Sequence, residues 1–270
     1  MERARLSVRE PAQRGRLLQF SEAAIAATLL LLAALAWTTT GKLASGHIQP
    51  GMSDGSGSMG SMSTSAGTPM LGLFLLTWVA MMVAMMFPAI TPVVITFDRW
   101  IRRTNRSRAG TALFVGGYLA VWSAAGLLFY WATRYIQPLL PAGAPGIRWT
   151  GFLIALAGAY QLTPAKAACL KQCKSPLAFV AQHADRLRRG GLAATGVGAV
   201  NGTFCLGCCW GLMAVLALLG MMNLGWMAAV AAIIFLEKLL PGPRFSRLVA
   251  VALIGLGLGA MLFPQILPTT

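Results

Sequence analysis

An all-α bundle of about seven membrane-spanning helices is the fold this sequence predicts. Hydrophobic residues fill 57% of the 270 positions and charged residues only 11%, against roughly 25% charged in an ordinary soluble domain. Mean hydropathy is +0.68. The apolar residues fall in long runs divided by short basic clusters, which is the pattern of a polytopic membrane protein. So few charges cannot cover a soluble enzyme of this size. The same composition excludes a disordered chain, and five cysteines in 270 residues exclude a disulfide scaffold.

The segments follow in order. Residues 1–19 form a basic tail with Arg3, Arg5, Arg9, Arg14 and Arg16. The first apolar segment, 20–38, reads as an uncleaved signal-anchor helix. The small residues in Lys42-Leu43-Ala44-Ser45-Gly46 leave open a cleaved signal, which would reduce the spans to six. Residues 39–69 are rich in Gly, Ser and Met and read as a flexible external loop. Its His47, Met52, Asp54, Met59 and Met62, with Met70 just beyond, offer weak copper ligands but fit no fixed geometry, so a plain linker is the simpler reading. A core of spans occupies 70–263, near 70–97, 111–136, 149–165, 192–219, 224–240 and 246–263, and an external tail, 264–270, ends the chain. Within 70–97, Pro88 removes a backbone hydrogen bond and predicts a kink.

The basic residues fix an orientation. Of the 22 Lys and Arg residues, all but Lys42, Arg134 and Arg148 fall on one side of this arrangement. Positive charge marks the cytoplasmic face. The expectation is a multi-pass protein of the bacterial cytoplasmic membrane, N-terminus inside and C-terminus outside. The net charge of +15 is then a topology signal for a lipid bilayer partner, and a nucleic-acid function is not expected.

The chemistry concentrates in sulfur. Cys205, Cys208 and Cys209 lie within five residues, halfway along the 192–219 segment. On a helix they share a face, and Met213 extends it by one turn. Thiolates and thioethers favour Cu(I), and thiolate clusters also suit zinc or iron–sulfur centres. The competing reading is packing, because Gly198, Gly202, Gly207 and Gly211 form small-xxx-small pairs on the same segment. Met81, Met82, Met85 and Met86 supply four thioethers at i, i+4 spacings, either as soft-metal partners or as gap-fillers. Cys169 and Cys173 also stand at i, i+4, beside Lys166, Lys171 and Lys174. They read as a cytoplasmic mouth site or as incidental thiols of a basic interfacial helix. His183 reads as a solvated surface residue, and Glu237-Lys238 as a local ion pair near the interface. No Walker A motif, bis-His pair or Ser/His/Asp set is present, so neither an ATP-driven pump nor acid–base hydrolysis is expected.

Taken together these motifs resemble a bacterial family of predicted metal-binding integral membrane proteins, a domain-of-unknown-function family. The resemblance runs over about 70–260. It is carried by Met81-Met82-Val83-Ala84-Met85-Met86-Phe87-Pro88, Tyr160-Gln161-Leu162-Thr163-Pro164 and Cys169-Leu170-Lys171-Gln172-Cys173-Lys174-Ser175-Pro176. Cys205-Leu206-Gly207-Cys208-Cys209-Trp210, Met221-Met222-Asn223-Leu224 and Glu237-Lys238 complete it. The chain departs from the pattern at Ala167-Ala168, where another basic residue is expected. The resemblance implies a helical membrane fold and raises the metal reading, without naming metal or substrate.

The expectation is a non-enzymatic membrane protein that handles a soft metal ion, with copper leading, and delivers it to a membrane metalloenzyme or exchanges it with a metallochaperone. Two alternatives remain open. One is a membrane thiol oxidoreductase that uses the adjacent Cys208 and Cys209. The other is an assembly or scaffold subunit that packs through its glycines.

Overall fold

A computed structural model describes residues 2–44, 68–104, 109–136, 144–187, 191–219, 223–240 and 242–263. The Met-rich part of the external loop and the C-terminal tail lie outside the described residues. Among those described there are helices and no strand. They are α1 (Glu2–Ala44), α2 (Thr68–Arg103), α3 (Ala109–Ile136), α4 (Ala144–Tyr160), α5 (Pro164–Lys174), α6 (Pro176–Gln182), α7 (Ala184–Leu187), α8 (Gly191–Leu219), α9 (Leu224–Leu239) and α10 (Arg244–Leu262).

Five helices are long and apolar enough to cross a membrane: α1, α2, α3, α8 and α10. A sixth candidate is the pair α4 and α5, bent by 61°. The 16 residues of α9 extend only about 24 Å, short of a ~30 Å hydrocarbon core. Leucines at 31, 76, 128, 192, 248 and 262 point outward and are more than 60% exposed. A soluble protein does not leave so much apolar surface to water. Trp131, Tyr135 and Trp149 are exposed at the C-terminal end of α3 and the N-terminal end of α4, as in an aromatic belt at a membrane interface.

The closest packing joins α1 to α2, α3 to α8 and α4 to α10. Small residues make two of these contacts possible. A Cβ on Gly198 would stand 1.9 Å from the Phe114 carbonyl oxygen, and one on Gly257 would stand 2.5 Å from the Gly151 carbonyl oxygen. In α1, Leu29, Ala33 and Ala36 are buried. The Trp37 indole donates to the Ala84 carbonyl at 3.0 Å, and Arg99 pairs with Glu22.

The break in the backbone falls elsewhere than the prolines of the second segment suggest. α2 continues as one helix through Pro88 and Pro92. The chain bends instead at 161–163, between α4 and α5. Thr163 ends the bend with extended dihedrals and its side-chain oxygen accepts from the Lys166 amide, while Pro164 takes the first helical position. That Thr-Pro pair is a strong start signal for a new helix. It ends the span near 149–165 and directs α5 against α8.

Candidate metal centre

The central site is built on α8. Spacing of three and four residues puts Cys205, Cys208 and Cys209 on one face, and all three are buried, at 2%, 3% and 1% exposure. Their sulfur atoms lie within 4.8 Å of one another. The Cys208 and Cys209 thiols donate to the Cys205 carbonyl at 3.1 and 3.0 Å, which turns both sulfurs back along the helix toward the third.

Three further helices bring side chains to this face. Cys173 of α5 sits with its sulfur 3.9 Å from that of Cys208. Tyr118 of α3, fully buried, has its hydroxyl 3.2 Å from the Cys205 sulfur. Lys238 of α9 directs its ammonium to the same sulfur at 3.5 Å. A metal–thiolate bond of about 2.3 Å sets an upper limit of ~4.6 Å between two sulfurs on one ion. The thiols are therefore already close to ligating separation. The set contains sulfur and no carboxylate or imidazole, which suits a soft monovalent ion such as Cu(I).

The charges around the site correct one reading of the sequence. Glu237 does not pair with its neighbour Lys238. It accepts two hydrogen bonds from the Lys166 ammonium, both at 2.7 Å, and the two side chains are 1% and 2% exposed. Two residues adjacent on a helix point about 100° apart, so Glu237 faces α5 while Lys238 faces the thiols. With Glu237 satisfied by Lys166, the charge of Lys238 is left for the sulfurs. Lys174 at the other end of α5 donates to the Leu240 carbonyl at 2.7 Å, so α5 is tied to the α9 end of the bundle at both of its ends.

Of the paired thiols at 169 and 173, only Cys173 is in contact with the central sulfurs. Cys169 lies over Gly207, where a Cβ would meet its sulfur at 2.8 Å. The Tyr160 hydroxyl donates to the Gly207 carbonyl at 2.6 Å, and its ring meets Trp210 edge-on at 4.8 Å. The glycines of α8 serve close packing: Gly198 and Gly202 face α3, while Gly207 and Gly211 face Cys169 and Tyr160. Met213 is buried on α8, and Met81, Met82, Met85 and Met86 are buried in the same apolar core as the thiols. They approach it from α2, which packs closely on α1, α3, α6 and α9 rather than on α8. His183 is half-buried, not solvated, with its ring 4.6 Å from that of Phe179.

Four residues of the site carry no clear mark in the sequence. Tyr118 is one aromatic in an apolar run, Lys166 is one of three lysines around the 169/173 thiols, and Lys238 reads from the sequence as the partner of Glu237. Gly207 is one of four glycines at similar spacing. The departure at Ala167-Ala168 is the one hint for Lys166, since it leaves that lysine as the lone cation between the bend and Cys169.

A bundle of long apolar helices encloses a cluster of buried thiols that could hold a metal ion. The chain belongs to the PpoB2 copper chaperone family, whose model matches residues 75–260. That range takes in every thiol and the whole Met81–Met86 group, and leaves α1 outside. No curated protein and no solved structure matches the chain.

Proposed function

We propose that the protein is a multi-pass membrane copper chaperone that holds Cu(I) on Cys205, Cys208 and Cys209 and passes it to a membrane metalloenzyme. The observation that carries this reading is the convergence of three buried sulfurs within 4.8 Å, with Cys173 beside them, in a chain of a copper chaperone family. Cys173 is the fourth sulfur. Met213 and Met81, Met82, Met85 and Met86 offer thioethers in the same core, weaker ligands suited to an ion in passage. The Lys238 ammonium offsets part of the negative charge of a Cu(I)–thiolate centre, which is costly in an apolar interior.

The membrane reading is supported by the exposed leucines and the aromatic belt. The proposed orientation, N-terminus cytoplasmic and C-terminus external in a bacterial inner membrane, is supported by the sorting of the basic residues. Withdrawing Lys166 and Lys238 from that sorting, since both face the interior, leaves the asymmetry intact.

The test is metal content. Wild type and a Cys205→Ser/Cys208→Ser/Cys209→Ser variant are purified in detergent under reducing conditions, offered Cu(I), desalted and measured by inductively coupled plasma mass spectrometry. Stoichiometric copper in the wild type that is lost in the variant supports the proposal. Absence of copper from the wild type removes it. A thiol-dependent mobility shift without retained metal would then favour the oxidoreductase alternative.

A further inference from the structure

We infer that Cys169 is the receiving ligand for the ion, and that Gly207 is the notch in α8 that seats it one step from the buried cluster. This rests on the copper reading above. The five sulfurs form a graded series: Cys169 and Cys173 are half-buried, while Cys205, Cys208 and Cys209 are buried. Cys169 and Cys173 stand one turn apart on α5 and face α8. At the far end of the series Cys173 is 3.9 Å from Cys208.

Gly207 accounts for the near end. Its missing side chain is the space the Cys169 sulfur occupies, since a Cβ there would lie 2.8 Å from that sulfur. Any other residue at 207 pushes Cys169 away from Cys208, the next residue along α8. Cys169 is itself half-buried rather than buried, so its side chain stays partly open to a donor, and Lys171 adds an exposed cation on the outer side of the same helix. A negatively charged Cu(I)–thiolate donor fits that surface.

A bare cation does not cross an apolar interior, so the ion moves by ligand exchange. The Cys173 sulfur forms its bond to copper as the bond from Cys169 breaks. The proton leaving the Cys173 thiol ends on the freed Cys169 sulfur. Copper stays Cu(I) throughout, and no electron is transferred. The next exchange, from Cys173 to Cys208, has the same balance.

The experiment follows loading of the full-length reduced protein in detergent from the Cu(I)–bicinchoninate complex, whose colour fades as copper leaves it. Cys169→Ser and Gly207→Ala are compared with wild type, each checked for a wild-type melting temperature. The inference predicts unchanged final copper and a loading rate lowered about tenfold or more in both variants, because the first sulfur is absent or displaced. Wild-type loading rates in Cys169→Ser would overturn it. So would loss of bound copper at equilibrium in that variant, which would make Cys169 a holding ligand. A wild type that takes up no copper at all fails the copper reading itself, and is told apart from these outcomes by the final copper content.

Discussion

Glu237→Gln removes the charge of one partner in a pair that is almost wholly out of solvent. The Lys166 ammonium keeps its charge, and both its hydrogen bonds to Glu237, 2.7 Å each, lose their anionic acceptor. Breaking a buried pair from one side costs about 3–5 kcal/mol, mostly the cost of the stranded charge. The glutamine carbonyl still accepts one hydrogen bond, which places this variant at the lower end. At about 2–4 °C per kcal/mol for a chain of this size class, the lower end of about 3 kcal/mol lowers the melting temperature by roughly 6–12 °C. The assay is heat-induced loss of the monodisperse peak in detergent. A Lys166→Met/Glu237→Leu variant should recover most of the loss, because apolar replacements of both partners leave no buried charge. The reasoning is refuted if Glu237→Gln melts with the wild type, or if the double variant melts as low as the single one.

Other perturbations separate the roles of neighbouring residues. Lys238→Met removes a charged donor from the Cys205 sulfur and should weaken Cu(I) binding about 10- to 100-fold in competition with bicinchoninate, with Lys238→Arg retaining much of the affinity. Tyr118→Phe removes a neutral hydroxyl from the same sulfur and should cost about fivefold in the same titration. Gly198→Ala meets the Phe114 backbone at 1.9 Å while Gly196→Ala meets nothing within 4 Å. The first should sharply reduce folded protein on size-exclusion chromatography. The second should be neutral or slightly stabilising, since alanine favours helix by up to about 1 kcal/mol.

The all-helical bundle is legible in the sequence, because long apolar runs divided by short polar clusters fold as long helices packed on one another. The bend at 161–163 is not legible as a bend while the segment is read for hydropathy alone. Its signal is local, the Thr163-Pro164 start, and it competes with Pro88 and Pro92, which α2 absorbs. The thiol face of α8 follows from spacing, because three cysteines at i, i+3 and i+4 can only share a face. The partners of that face come from α3, α5 and α9, and nothing in a one-dimensional pattern states which helices will meet. The exchange of ion-pair partners is the plainest case. Glu237 and Lys238 are adjacent in sequence and suggest each other, but adjacency on a helix separates them in direction. Only the fold brings Lys166 to the first and Cys205 to the second.

The central claim is that the buried sulfurs of α8, with Cys173 of α5 beside them, hold copper. X-ray absorption at the copper edge of the Cu(I)-loaded, reduced protein addresses it most directly. The account predicts copper in the +1 state with a first shell made of sulfur alone, lost when Cys205, Cys208 and Cys209 are replaced by serine. A shell dominated by nitrogen or oxygen, or a sulfur shell that survives those replacements, would contradict it.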